Sequence, residues 1–234
     1  GFEQAIREKY DIIDLVSSID PQTLQPQVKA ASDAGIKVMT THFYDPTMKQ
    51  DPLVSSSLTL DYGQVGKILA NWTTANTDGA ANVVLVTMNE VPTALPLVAA
   101  IKSELATNCP NCRVIQEINV GVTEWATKIQ PAVQSIVQAR PEVNVIIPIF
   151  DSMAQFVVPA LRLTGKTGKV KIATFNGTPF VLDYVQQGLV DMDIGESLDW
   201  IAYATIETKF TIIFTKSFWY GRRSSRIALN IASS

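Results

Sequence analysis

The sequence predicts an α/β fold built on parallel sheets, and three observations lead there. Short runs rich in β-branched residues alternate with stretches of helical period along most of the chain. Glycines and prolines fall at the boundaries between them. Of 234 residues, 47% are hydrophobic and 18% charged, a balance that supports a sizeable packed core. Repeated β–α units bury both faces of a sheet under helices, which requires parallel strands.

Taken in order, the elements begin with Phe2, Ala5 and Ile6, which are spaced for one buried face of a helix. No charged region followed by an apolar stretch opens the chain, so Gly1 is expected to lie inside a fold with a segment preceding it. Strands are expected at 12–16, 36–41, 54–60, 83–88, 112–119, 145–149, 170–175 and 190–194. Helices are expected at 22–34, 62–76, 91–106, 124–139, 151–164 and 179–187. Asp20 before Pro21 reads as an N-cap with proline at the first helical position. Gly35, Gly165 and Gly188 each follow a helical stretch, where a left-handed C-cap residue is needed.

Right-handed crossovers place every strand-to-helix loop on one edge of its sheet, and ligands of open α/β sheets bind there. The residues at those positions are His42 and Phe43, Asn89 and Glu90, Trp125, Phe150 and Asp151, Asn176, and Glu196. Rings that stack on C–H faces alternate with side chains that bond hydroxyls, which suits a small polyhydroxylated ligand. Each residue also has a plainer reading. Asp151 could cap its helix, Asn176-Gly177 could be a turn, Phe43 and Phe150 could belong to the core, His42 could be a bonded loop residue, and Glu196 could be an exposed hinge residue.

Several functions are disfavoured. The net charge is −3 with no basic field, so nucleic acid is not an expected partner for the body of the protein. No apolar run approaches the ~18 residues needed to span a bilayer. Cys109 and Cys112 form a CxxC pair that follows a helical stretch and precedes a strand, whereas redox pairs open a helix. A local disulfide or inert thiols are expected, and an oxidising compartment is favoured. The only histidine, His42, is remote from both cysteines, so neither a metal nor any other cofactor is called for. An enzyme pairing Asp151 with Glu196 as two carboxylates is the weakest alternative.

Residues 20–38, from Asp20-Pro21 through Ala34-Gly35-Ile36, resemble the helix-to-strand segment of type I periplasmic sugar-binding proteins, the ribose-binding-like group. Pro141-Glu142-Val143, Asp151-Ser152-Met153-Ala154, Ala160-Leu161-Arg162-Leu163-Thr164-Gly165-Lys166 and Phe175-Asn176-Gly177-Thr178-Pro179 resemble further elements of that family, in the same order. The similarity runs over about residues 3–207. It implies two Rossmann-like lobes with parallel sheets joined by a hinge, residues 1–60 with 197–234 and residues 61–196, closing on a ligand. It also implies a monomer of the periplasm that hands a sugar-like solute to the membrane permease of an ABC transporter. A ligand-sensing domain of a regulator or receptor shares the fold and stands as the alternative.

The resemblance places ligand contacts on His42 and Phe43, near Asn89 and Glu90, near Glu124 and Trp125, and on Phe150, Asn176 and Glu196. His42-Phe43 stands where sugar binders often have Asp-Arg, Asn176 where Asp is usual, and Glu196 where Gln is frequent. Leu95 stands near a usual arginine. The stretch from Phe210 onward, with Lys216, Arg222, Arg223 and Arg226 and no acidic residue, does not resemble the family.

Overall fold

The computed structural model describes residues 1–16, 21–217 and 227–230. Seventeen helices and strands of regular structure fall into two compact units among those residues. Unit 1 comprises Gly1–Asp61, Val91–Thr93 and the described part of Ser197–Ser234; unit 2 comprises Tyr62–Glu90 and Ala94–Glu196.

Unit 1 opens with helix α1 (Phe2–Arg7), followed by strand β1 (Ile12–Val16), helix α2 (Gln25–Asp33) and strands β2 (Lys37–Thr41) and β3 (Val54–Leu58). Its sheet has the order β3-β2-β1-β9, where β9 is Ile227–Asn230, and every pairing is parallel. The spacing of Phe2, Ala5 and Ile6 is explained by packing. Ala5 joins Ile13, Leu15, Val28, Ala31, Ile36 and Val38 in one buried cluster, and Phe2 and Ile6 pack against it. Gly35 follows α2 at φ 81°, a conformation that costs glycine little, and so turns the chain into β2. The expected Asp20 cap lies outside the described residues. Pro21 begins a short 3-10 turn, Pro21–Leu24, before α2.

Unit 2 alternates without interruption: α3 (Tyr62–Asn76), β4 (Asn82–Thr87), α4 (Ala94–Asn108), β5 (Arg113–Asn119), α5 (Trp125–Ala139), β6 (Val145–Pro148), α6 (Ala154–Leu163), β7 (Lys171–Asn176), α7 (Pro179–Gln186) and β8 (Met192–Gly195). The sheet order is β5-β4-β6-β7-β8, all parallel. In β4 four successive residues, Val83 to Val86, are completely buried, which requires cover on both faces of the sheet. Helix α5 buries Ile129, Val133, Ile136 and Val137, one face at helical period.

Three helices begin three residues later than the sequence expectation: α2 at Gln25 and α6 at Ala154, each after a 3-10 turn, and α4 at Ala94. The helix expected from residue 91 begins at Ala94, because Pro92 disfavours helix before it and Pro96 is tolerated only in a first turn, where its missing N–H is not needed. Of the two readings of Asp151, the helix cap is not what forms: that residue lies inside a 3-10 turn whose N-cap is Phe150, and its carboxylate bonds elsewhere.

Chain return to unit 1 is through α8 (Leu198–Ser217), which absorbs the first part of the basic tail, including Lys216. Arg222, Arg223 and Arg226 lie outside the described residues. Among the described residues no helix is long and apolar enough to cross a membrane. Cys109 and Cys112 are joined by a disulfide that clips the end of α4 to the start of β5.

Candidate functional site

Because the strands of unit 2 are parallel, their carboxyl ends share one edge, and the sequence-predicted residues of that unit collect there. Asn89 and Glu90 follow β4 and are exposed. The backbone N–H of Asn89 donates to Asn119 Oδ1 at the end of β5 (2.8 Å), which joins two adjacent strand ends. Glu90 lies against Gly121, where a β-carbon would stand 2.4 Å from Glu90 Oε1. Trp125 opens α5 with its ring half-buried, and its indole N–H donates to Val120 O (3.1 Å), which holds the ring at this edge. Phe150 is half-buried directly after β6.

Asp151 is the most constrained member. It is fully buried, and its carboxylate accepts from the backbone N–H of Thr178 (2.7 Å), the Thr178 hydroxyl (2.6 Å), Asn176 Nδ2 (3.4 Å) and the Ser152 hydroxyl (3.3 Å). The turn after β6 is thereby fastened to the turn after β7. That second turn is tight: Asn176 has φ 148° and Gly177 φ 82°, and a β-carbon on Gly177 would approach Gly195 Cα to 2.7 Å. Asn176 thus fills the turn reading that its sequence allowed.

Around Asp151 the electrostatics are unusual. Burial, then the charge of Asp151, pushes the Glu196 carboxyl up to about 7. The same two causes push Asp193 up to about 7, against the pull of the backbone N–H groups of Gly177 and Asn176. Asp193 was not among the expected site residues. Its sequence signal was a lone acid between Met192 and Ile194 in a strand pattern, which indicates a polar group entering a partly buried surface. Among the described residues no group of three or more His, Cys, Asp or Glu side chains is arranged to hold a metal ion.

Unit 1 has strand ends of its own. His42 follows β2 in the left-handed region at φ 61°, and its N–H donates to Leu58 O (3.0 Å). Burial lowers the His42 pKa, opposed by the charge of Asp14. Phe43 is 2% exposed and meets Tyr44 edge-on with ring centroids 4.8 Å apart, so it holds the packing position that competed with ligand contact. Tyr44 in turn accepts the backbone N–H of Asp51 (3.1 Å), closing the loop before β3. Leu95, near the arginine position of the resembled family, is 58% exposed on the first turn of α4.

Two parallel α/β units with loaded strand ends match one family model, the periplasmic binding protein domain, over residues 1–213. The chain belongs to that family. Solved structures of similar fold include a periplasmic solute-binding protein of an ABC transporter from Actinobacillus succinogenes with bound D-allose, at TM-score 0.79 and 19% identity over 98% of this chain and 79% of that one. The Caulobacter myo-inositol-binding protein aligns at TM-score 0.76 and 18% identity over 97% of this chain and 75% of that one. A fructose-binding periplasmic domain of a hybrid two-component system aligns at TM-score 0.78 and 13% identity, over 97% of this chain and 72% of that one. No curated protein matches the chain by sequence at a significant level. As a periplasmic binding protein domain, the chain is of a kind built for solute binding, and the fold of its two units is the type I arrangement of parallel sheets.

Proposed function

We propose that the protein captures a small sugar or polyol at the carboxyl ends of its parallel strands and delivers it, from the periplasm, to the permease of an ABC importer. The observation that carries this reading is the edge of unit 2. There, half-buried Trp125 and Phe150 alternate with the hydrogen-bonding side chains of Asn89, Asn176 and Glu196 at neighbouring strand ends. Aromatic faces next to amide and carboxyl groups suit a ring bearing several hydroxyls. The ligands named for the allose- and myo-inositol-binding structures are of this class.

Two residues refine the ligand class. Glu196 stands where the family often has glutamine, and its carboxyl, pushed up to about 7, is partly protonated at neutral pH; the protonated form both donates and accepts one bond, as an amide does. His42-Phe43 replaces a pair that commonly grips hydroxyls with charge-assisted bonds, so recognition relies more on stacking and neutral hydrogen bonds. Binding without chemical conversion is the role this supports, by a protein acting as a monomer. A thermal-shift panel of hexoses, pentoses, inositols and linear polyols tests it: at least one should stabilise the protein in proportion to its concentration. Silence across that panel rejects the reading.

A sensory role has one observation in its favour, the similarity to the fructose-binding domain of a hybrid two-component system. Both roles require ligand capture. Copurification with a permease supports import, and fusion or binding to a sensor kinase supports sensing.

A further inference from the structure

Unit 1 buries a charge pair that ligand capture at the exposed strand ends does not use. Asp14 lies at the centre of β1 and Lys209 on α8; both side chains are 1% exposed, with Lys209 Nζ 3.1 Å from Asp14 Oδ2. Withdrawing two charges from water costs so much that their attraction barely offsets it, and apolar residues of similar volume often serve stability as well or better. The connections of the pair point to a different role.

Thr41, the last residue of β2, donates its hydroxyl to Asp14, 3.1 and 3.2 Å from the two carboxylate oxygens. It also lies 3.4 Å from the hydroxyl of Thr205, one helical turn before Lys209. The residue after Thr41 is His42, held at φ 61°, where non-glycine residues are uncommon. A left-handed residue of this kind persists when its surroundings over-determine it. Here the preceding side chain is anchored to the buried pair, while the His42 N–H is anchored to β3 through Leu58 O. The charge of Asp14 also reaches the imidazole, opposing the effect of burial.

We infer that Asp14 and Lys209 are positioning residues for His42: through Thr41 they hold the left-handed turn that keeps the imidazole at the strand end. The consequence for ligand affinity rests on the capture reading above, extended to a ligand contact by His42 at its own strand end in unit 1. The consequence for His42 itself does not.

His42 is the only histidine in the chain, so its imidazole resonances report on this corner alone. The test combines Asp14→Leu with Lys209→Met, which removes both charges together and leaves neither unpaired. In the folded double variant the His42 titration midpoint should fall, because the raising charge of Asp14 is gone, and its chemical shifts should move. Affinity for whichever of D-allose or myo-inositol stabilises the wild type should drop roughly tenfold, the scale of coupling within a contact network. Lys209→Arg alone, which keeps both Asp14 and a cation beside it, should leave the wild-type titration unchanged. A folded double variant with unchanged His42 shifts and midpoint overturns the inference. Should the double variant not fold, Thr41→Val asks the same question, with displaced His42 resonances expected and unchanged ones decisive against it. If no sugar or polyol of the panel binds the wild type, it is the capture reading that fails, and the titration still decides the positioning role.

Discussion

The carboxylate of Asp151 receives both the backbone N–H and the hydroxyl of Thr178, at 2.7 and 2.6 Å, across 27 residues of sequence. Through this double contact the turn after β6 fixes the start of α7. Thr178 is the N-cap of that helix, and no side-chain cap bond of its own is formed there. Asp151→Ala would leave a buried N–H and hydroxyl without their acceptor, so a loss of about 2–4 kcal/mol in urea denaturation is expected. Asp151→Asn should cost less, since its amide oxygen still accepts one of the two bonds. A wild-type midpoint for the alanine variant would show that the contact contributes nothing.

Asp193 and Glu196 make stability depend on pH in an uncommon direction. Their folded-state pKa values lie near 7, above ordinary values of 3.8 and 4.5, so the folded protein holds protons that the unfolded chain has released. Their contribution is intact below about pH 4, is lost as pH rises to about 7, and is flat above neutrality. Neither group is fully buried, so the combined loss should be on the order of 1–2 kcal/mol. Asp193→Asn should flatten the slope measured by denaturation at pH 5, 6, 7 and 8. A variant slope equal to that of the wild type would contradict this account.

Gly66→Ala sets two effects against each other. Alanine favours a helix over glycine by about 1 kcal/mol. In α3, however, the added β-carbon would stand 2.4 Å from Leu97 O and 2.8 Å from Ala100 Cβ on α4. The first of these is backbone that cannot rotate away, so the clash wins and Tm should fall. A rise in Tm would mean that the two helices separate at little cost.

The Cys109–Cys112 disulfide closes a very short loop. Chain-entropy reasoning gives it only about 2 kcal/mol. Reduction should therefore lower the unfolding midpoint without unfolding the protein, as near-ultraviolet circular dichroism before and after a mild reductant will report.

Much of both units was legible because the signals are local. The 62–76 helix was read with its observed ends, and β1 likewise, since apolar period and boundary residues lie within a few positions of each other. The gathering of Asn89, Trp125, Phe150, Asn176 and Glu196 on one edge also followed from sequence, because parallel strands leave their carboxyl ends no other place. What each side chain does there was undecided. Asp151 as helix cap and Asp151 as anchor for Thr178 carry the same residue in the same local pattern.

The alternation of strand and helix and the caps at Gly35, Gly165 and Gly188 were determined by the sequence itself, because each depends on neighbours along the chain, whereas Cys109 and Cys112 read equally as a disulfide or as thiols until the structure joined them. The partner of Asp14 was decided only by tertiary structure. An acid inside Ile12-Ile13-Asp14-Leu15-Val16 announces that it needs compensation, yet nothing nearby says that Lys209 on α8 supplies it. The same holds for the acids at 151, 193 and 196: their identities are in the chain, but their burial and mutual repulsion exist only once β6, β7 and β8 stand side by side.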